Sequence, residues 1–461
     1  MNVIASFIER LAIGPEIDPA DEPILDLRHG HRLTRRQLTE SIACIASTGK
    51  GKTTLARTCC RAMLRDRFGG LVLTVKQSQI SEFQTLCQME DRASDCLVLA
   101  PGKRCVFNPL ERESNASEAA ALVAELAEAL ANRTRDGGEN EAFWRTQLEI
   151  ILRNLFVLCK LTHGLLDLLH AAELFDGRAN SIADLHDPSW RQNSPLAPAL
   201  EIASRHPQNA DAQLAVEYFS ETYPTHGDRL QGSLAAVVGG VFDHLRREPL
   251  RKLFTGESTF SIDDLIDHGK ICIVGLPALD SAAGRIANAL IQFCFCRAAT
   301  RRPRTHYSFL ISDECQETVS RELMRKLAVL REFKVVTVLL TQNLAVLDDR
   351  IGETAREGLM GLMGTKLFGP QCHAATRQWA SEQIGKHKVE VESVTTGRNS
   401  GGSSEGHSSS VSRHTQWDYR VPPSRFTELE IGQTICLRDG QVWLSAWHKD
   451  HPGEGGTVRL I

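Results

Sequence analysis

A short apolar run, Ile42-Ala43-Cys44-Ile45, passes directly into Ala46-Ser47-Thr48-Gly49-Lys50-Gly51-Lys52-Thr53-Thr54, and from there into an apolar-periodic segment reaching about Arg67. This order of strand, glycine- and lysine-rich turn, and helix constrains the fold more than any other feature of the chain. It fits the phosphate-loop pattern GxxxxGK(S/T), with Ala46 at the first glycine. In such a turn the backbone N–H groups wrap phosphates, and the positive end of the following helix adds to the attraction. Gly49 and Gly51 lack the side chains that would block that approach. Lys52 supplies a mobile charge for β- and γ-phosphates, and the Thr53 hydroxyl is placed to ligate Mg2+. Ser47, Thr48, Lys50 and Thr54 complete the loop. The plain alternative is a glycine-rich loop with chance lysines, and the strand before it and the helix after it weigh against that.

Two more apolar strands end in polar residues. Phe309-Leu310-Ile311-Ser312 runs into Asp313-Glu314, the arrangement known as Walker B. Asp313 would hold Mg2+, directly or through water, and Glu314 would orient and polarise an attacking water. Alone, such a pair reads equally well as a solvated turn. Val338-Leu339-Leu340-Thr341 ends in Gln342-Asn343, where Gln342 is the candidate sensor of the γ-phosphate. Arg331, between these strands, is a candidate arginine finger, with Arg321, Arg325 and Arg377 as competitors and a solvated helix end as the plain reading.

Alternation of strands and helices around these motifs predicts an α/β fold, a RecA-like P-loop NTPase domain with a mainly parallel sheet. Strands are expected at Leu71–Val75 and Cys96–Leu99, with Cys105–Phe107 a candidate fourth. From residue 113 to 255 the sheet signal disappears, and apolar residues recur at helical spacing (Phe143, Leu148, Ile151, Leu155, Leu158). The expected division is a lead-in at 1–40, the nucleotide-binding domain in two segments, 41–112 and 256–461, and an all-helical insert at 113–255. Within the insert, 187–208 holds prolines 188, 195, 198 and 207 and reads as a loop; 396–412, rich in serine and glycine, reads as a flexible surface loop.

Composition is that of an ordinary globular protein, with 42% hydrophobic and 24% charged residues. The net charge of -4 excludes a globally basic surface, so any DNA contact has to come from a local patch or a pore lining. The 13 cysteines show no CxxC, and they read as small buried hydrophobes in a reducing compartment. The 16 histidines show no metal-ligand spacing. No run of about 18 apolar residues occurs, so no membrane segment and a cytoplasmic location are expected.

Further segments narrow the reading. Val106-Phe107-Asn108-Pro109-Leu110 before the helical region, Phe143-Trp144 at the start of a long helix, and Ile262 to Pro277 around a Gly269-Lys270 turn resemble the type IV coupling proteins, the TraG/TraD-like ATPases of conjugation and secretion. Ser381-Glu382-Gln383-Ile384-Gly385-Lys386 is similar to a further segment of that family, and the order and spacing of these matches extend over residues 40–450. Membrane-spanning N-terminal helices carried by many coupling proteins have no counterpart here. The resemblance implies ATP and Mg2+ as cofactors and a homo-hexameric ring. In it Arg331 of one subunit completes the site built on Lys52, Thr53, Asp313 and Glu314 of the next. It also implies DNA in the pore, and relaxosome or secretion-system proteins as partners. Soluble DNA translocases of the HerA/FtsK type, protein-secretion ATPases of the same machines, and a nucleotide-dependent switch with little turnover are the rival readings.

Overall fold

The computed structural model describes residues 18–27, 31–111, 115–131, 139–276, 282–319, 321–399 and 406–446. Thirteen strands occur among them: β1 (Pro23–Asp26), β2 (Arg32–Thr34), β3 (Ile42–Ile45), β4 (Gly69–Thr74), β5 (Cys96–Leu99), β6 (Ile271–Gly275), β7 (Ser308–Ser312), β8 (Val335–Thr341), β9 (Thr365–Phe368), β10 (Lys386–Asn399), β11 (Gly406–Tyr419), β12 (Gln433–Arg438) and β13 (Gln441–Ala446). Nine of them form one sheet in the order β13-β12-β9-β3-β8-β7-β4-β6-β5. It is parallel from β9 to β5, and antiparallel where β12 pairs with β9 and β13.

The central strands are apolar at nearly every position because both of their faces are covered. Alternate side chains enter different cores: Ile42 and Cys44 of β3 face the helices Lys52–Arg65 and Gln77–Met89, while Ala43 and Ile45 join the core on the other face. Phe309 and Ile311 of β7 divide from Leu310 in the same way. Between residues 18 and 40 the chain is folded onto the first of these cores through Leu25, Leu27, Leu33 and Leu38. Arg35 fixes it with a bidentate pair to Asp66, both bonds 2.5 Å long.

Between β5 and β6 the described elements are helical, led by Ala116–Ala131, Glu139–His163 and Asp228–Arg246. Their apolar faces share one core with the sheet. Cys105–Phe107 forms no strand. It is one side of an irregular neck, where Phe107 N–H donates to Leu253 O (2.8 Å) and Thr259 N–H to Val106 O (3.0 Å). Asn108, buried, ties that neck: its Nδ2 donates to Leu166 O (3.1 Å) and its Oδ1 accepts from Leu110 N–H (3.0 Å). We expect Asn108→Ala to lower stability by about 1–3 kcal/mol, because both bonds are buried. Urea unfolding checks this.

Two expectations are corrected. Residues 187–208 are not a loop but contain the helices Pro188–Asn193 and Leu196–Ser204. Pro188 stands at the first helical position, capped by Asp187, and Pro198 lies in the first turn of the second helix, where no backbone N–H is needed. Of 396–412, expected as a flexible loop, the residues up to Asn399 and from Gly406 are strands of the hairpin β10–β11, paired in unbroken register from Lys386↔Tyr419 to Asn399↔Gly406; 400–405 lie outside the described residues. Backbone pairing holds serine-rich strands without an apolar core. The helix Asp228–Arg246 stops short of Pro249, which interrupts the hydrogen-bond ladder, and a short helix resumes at Leu250–Phe254.

Among the described residues no single helix is long and apolar enough to cross a membrane. The bent pair Ala142–His163 and Leu168–Asp176 has the composition for it, and the apolar side chains of that pair, such as Ile151, Leu155 and Phe175, are buried in the protein core.

Candidate nucleotide-binding site

Strands β3, β8 and β7 are neighbours and parallel, so their carboxyl ends open on one edge of the sheet. Ligands of open parallel sheets bind at such an edge. Here the fold brings together the loop Ala46–Thr54, Gln342, and the pair Asp313-Glu314.

The loop has φ of +74° at Gly49 and +95° at Gly51, values that favour glycine. A Cβ on Gly51 would also lie 3.2 Å from the Cα of Gly432, which crosses over the loop. Lys52 begins the helix and is buried; its Nζ donates to the carbonyls of Ala46 (2.8 Å) and Ser47 (3.3 Å). Those are weak partners for an ammonium, and phosphate oxygens are stronger ones. Ala46, the departure from the glycine pattern, is accommodated by Gly369. A Cβ at 369 would sit 2.6 Å from the Ala46 methyl, so the space the methyl needs is left open across the strand pair. Thr48 is exposed, Lys50 and Thr54 half-buried.

Asp313 is 1% exposed. Its Oδ2 accepts from Thr53 Oγ1 (2.9 Å) and from Gln79 Nε2 (2.5 Å), and its Oδ1 from the Glu314 N–H (3.1 Å). Burial pushes its carboxyl above the ordinary value of 3.8, and the Glu314 charge adds to this; the Thr53 and Gln79 hydrogen bonds and Lys52 oppose it. A carboxyl raised by folding holds its proton more tightly in the folded chain. Its contribution to stability is therefore full below 3.8 and is lost as pH rises through the raised value. Unliganded Asp313→Asn should lack that loss and melt higher than wild type above this window. Thermal melts of both proteins from about pH 4 to 8 check it.

Glu314 is buried with φ +56° and ψ 55°, a left-handed conformation that a non-glycine residue occupies at a cost. Its Oε2 accepts from Gln316 Nε2 (2.9 Å) and Gln342 Nε2 (3.1 Å), and Lys76 Nζ lies 3.8 Å from its Oε1. The chain of bonds continues to the phosphate loop: Gln371 Nε2 donates to Gln342 O (2.9 Å), and Ser47 Oγ donates to Gln371 Oε1 (3.0 Å). Ser47 of the loop is thus linked to Glu314 through Gln371 and Gln342.

Arg331 is not part of this cluster. It precedes β8 and pairs with Glu40 (2.8 Å), which precedes β3, so it stands at the opposite end of the strands from the loop. Its side chain is 56% exposed. Arg377 lies close to the loop, donating to Cys372 O (3.0 Å), whose N–H donates to Ser47 Oγ. Arg325 is exposed, and the side chain of Arg321 is outside the described ones. Gln79, Lys76, Gln316 and Gln371 were not foreseeable as site residues, except that Gln316 follows Glu314 by two positions.

Among the described residues no group of three or more His, Cys, Asp or Glu could hold a metal. Thr53 and Asp313 offer only oxygen donors, and with phosphate oxygens and water this set fits Mg2+.

Residues 308–430 match the family described as the TraM recognition site of TraD and TraG. Comparison with curated protein sequences gives no match. In fold the chain is similar to the bacterial conjugative coupling protein TrwB in its unbound form, with TM-score 0.63, 13% identity, and 97% of this chain and 92% of that one covered. TrwB in complex with ADP and Mg2+ gives TM-score 0.62 at 12% identity over the same shares. VirB4 of Thermoanaerobacter pseudethanolicus gives 0.53 at 12% identity, covering 95% of this chain and 98% of that one. The sheet with its helical covering is therefore the RecA-like α/β fold. Residues 308–430 thus resemble that family, and over nearly its whole length the chain shares the fold of a conjugative coupling protein.

Proposed function

We propose that the chain is an ATP-hydrolysing motor that moves DNA, working as coupling proteins do in conjugative transfer. The observation that carries this is the meeting of Thr53 with Asp313 at 2.9 Å, beside a Glu314 that Gln342 holds at 3.1 Å. Phosphate loop, paired carboxylates and sensor amide thereby line one site.

In this reading each residue takes one role. The loop Ser47–Thr54 receives the phosphates, and Lys52 exchanges its two carbonyl partners for phosphate oxygens. Thr53 and Asp313 hold Mg2+, which neutralises charge on the phosphates when bound. Glu314 accepts a proton from the attacking water, with Gln316 and Gln342 fixing the carboxylate that does so. Arg331 reaches the site of a neighbouring copy in a ring, after leaving Glu40. Residues 41–112 and 256–461 act as the motor domain and 113–255 as a helical insert. The region 308–430, by its family description, is where a relaxosome protein docks. A nucleotide-dependent switch with little turnover is the rival that Ala46 in the loop would favour, and against it stands the room that Gly369 leaves for the Ala46 methyl.

The test is hydrolysis by purified protein with no DNA, single-stranded DNA and duplex DNA at two salt concentrations. Stimulation by DNA that falls steeply with salt is expected, because phosphate contacts release counterions. Hydrolysis indifferent to both DNA forms would overturn the motor reading and leave a protein-secretion ATPase.

A further inference from the structure

The helix Gln77–Met89 starts directly after β4, whose neighbour in the sheet is β7. Asp313 N–H donates to Leu73 O (3.2 Å), so the end of β4 and the paired carboxylates lie against each other. This places Gln79, in the first turn of the helix, over Asp313. Gln79 is 3% exposed. Its Nε2 is 2.5 Å from Asp313 Oδ2 and 3.4 Å from Thr53 Oγ1. Its Oε1 is buried and has no partner.

The orientation of the amide is fixed by chemistry. A carboxylate only accepts, so the NH2 group faces Asp313 and the carbonyl oxygen turns away. A buried acceptor left unmet is costly, and such atoms in native proteins mark a missing water, ion or ligand. Mg2+ keeps several of its waters when it binds phosphates and one or two protein oxygens. Those waters are strong donors that need acceptors.

We infer that Gln79 is a positioning residue for the divalent cation. Its Nε2 holds Asp313 in the orientation that receives Thr53, and its Oε1 accepts a hydrogen bond from a water carried by the metal. The inference rests on the nucleotide-site reading and adds to it a residue outside the three motifs. Gln79 bonds Asp313 and Thr53, the two residues that would hold the cation, so it acts on metal affinity rather than on nucleotide affinity as such.

The experiment titrates a fluorescent ADP analogue against the full chain with and without Mg2+, for wild type, Gln79→Met and Gln79→Glu. Methionine keeps the length and bulk and removes both polar atoms; glutamate keeps an oxygen acceptor. The expected result is unchanged affinity without Mg2+ in Gln79→Met, with the tightening on adding Mg2+ reduced about 10–100-fold, the usual effect of losing a group that orients a metal site. Gln79→Glu retains more of that tightening than Gln79→Met. A tightening in Gln79→Met equal to wild type overturns the inference. So does an equal loss of affinity with and without Mg2+ accompanied by a lowered melting temperature, which marks a packing role. Wild type that binds the analogue with no gain from Mg2+ would instead overturn the nucleotide-site reading itself.

Discussion

Arg331→Ala lowers DNA-stimulated ATP hydrolysis by about 10³–10⁵-fold, the range lost when an arginine that stabilises transferring phosphoryl charge is removed. On the proposed reading the loss appears only in an assembly. Within one chain, Arg331 pairs with Glu40 at the far end of β3 from the phosphate loop, and it is half exposed. The same Glu40 is bonded by the buried Arg438, so it keeps a cationic partner when Arg331 departs. Arg331 is therefore available to a neighbour's site at the cost of one partly exposed ion pair, which is worth about 1 kcal/mol or less. Steady-state hydrolysis measures the loss. Mixing Arg331→Ala with Glu314→Gln subunits separates action within a chain from action between chains, because a ring of both contains interfaces where an intact Glu314 meets an intact Arg331. Activity recovered on mixing supports the reading. No recovery, with mixed rings present, contradicts it.

Glu314→Gln is the second large effect, with hydrolysis reduced by about 10²–10⁴-fold and nucleotide binding kept. Glutamine preserves the shape and can still meet the amides of Gln316 and Gln342, so the left-handed turn and the loop it faces stay in place. What is lost is the proton acceptor. A single-turnover assay together with equilibrium binding of ADP and Mg2+ distinguishes this from Lys52→Ala, which should weaken binding itself because Lys52 lies inside the loop.

Local sequence carried the motifs because their chemistry is local. The run Ile42–Ile45 into Gly49-Lys50-Gly51-Lys52 needs only its own strand to be readable, whereas Phe309–Ser312 into Asp313-Glu314 gains its meaning from following that loop in the same chain. Sheet order was less legible, since β3 lies beside β8 with Ile42 paired to Val338, far along the chain. The helices Pro188–Asn193 and Leu196–Ser204 were hidden by prolines that occupy first turns, where proline is tolerated. Gln79 and Gln371 carried no signal, being ordinary amides that the fold sets beside Asp313 and Ser47 across 234 and 324 residues of chain. Ala46 departs from the glycine pattern in sequence, and only the fold sets its methyl opposite Gly369.

On the proposed reading, hydrolysis at this site moves the protein along DNA. The most direct measurement is ATP-dependent displacement of streptavidin from the end of biotinylated DNA, single-stranded and duplex, by wild type and by Glu314→Gln. The account predicts displacement on at least one DNA form by wild type with ATP and Mg2+, and none by Glu314→Gln. Displacement equal in both proteins, or wild-type hydrolysis stimulated by DNA with no displacement on either form, would contradict it.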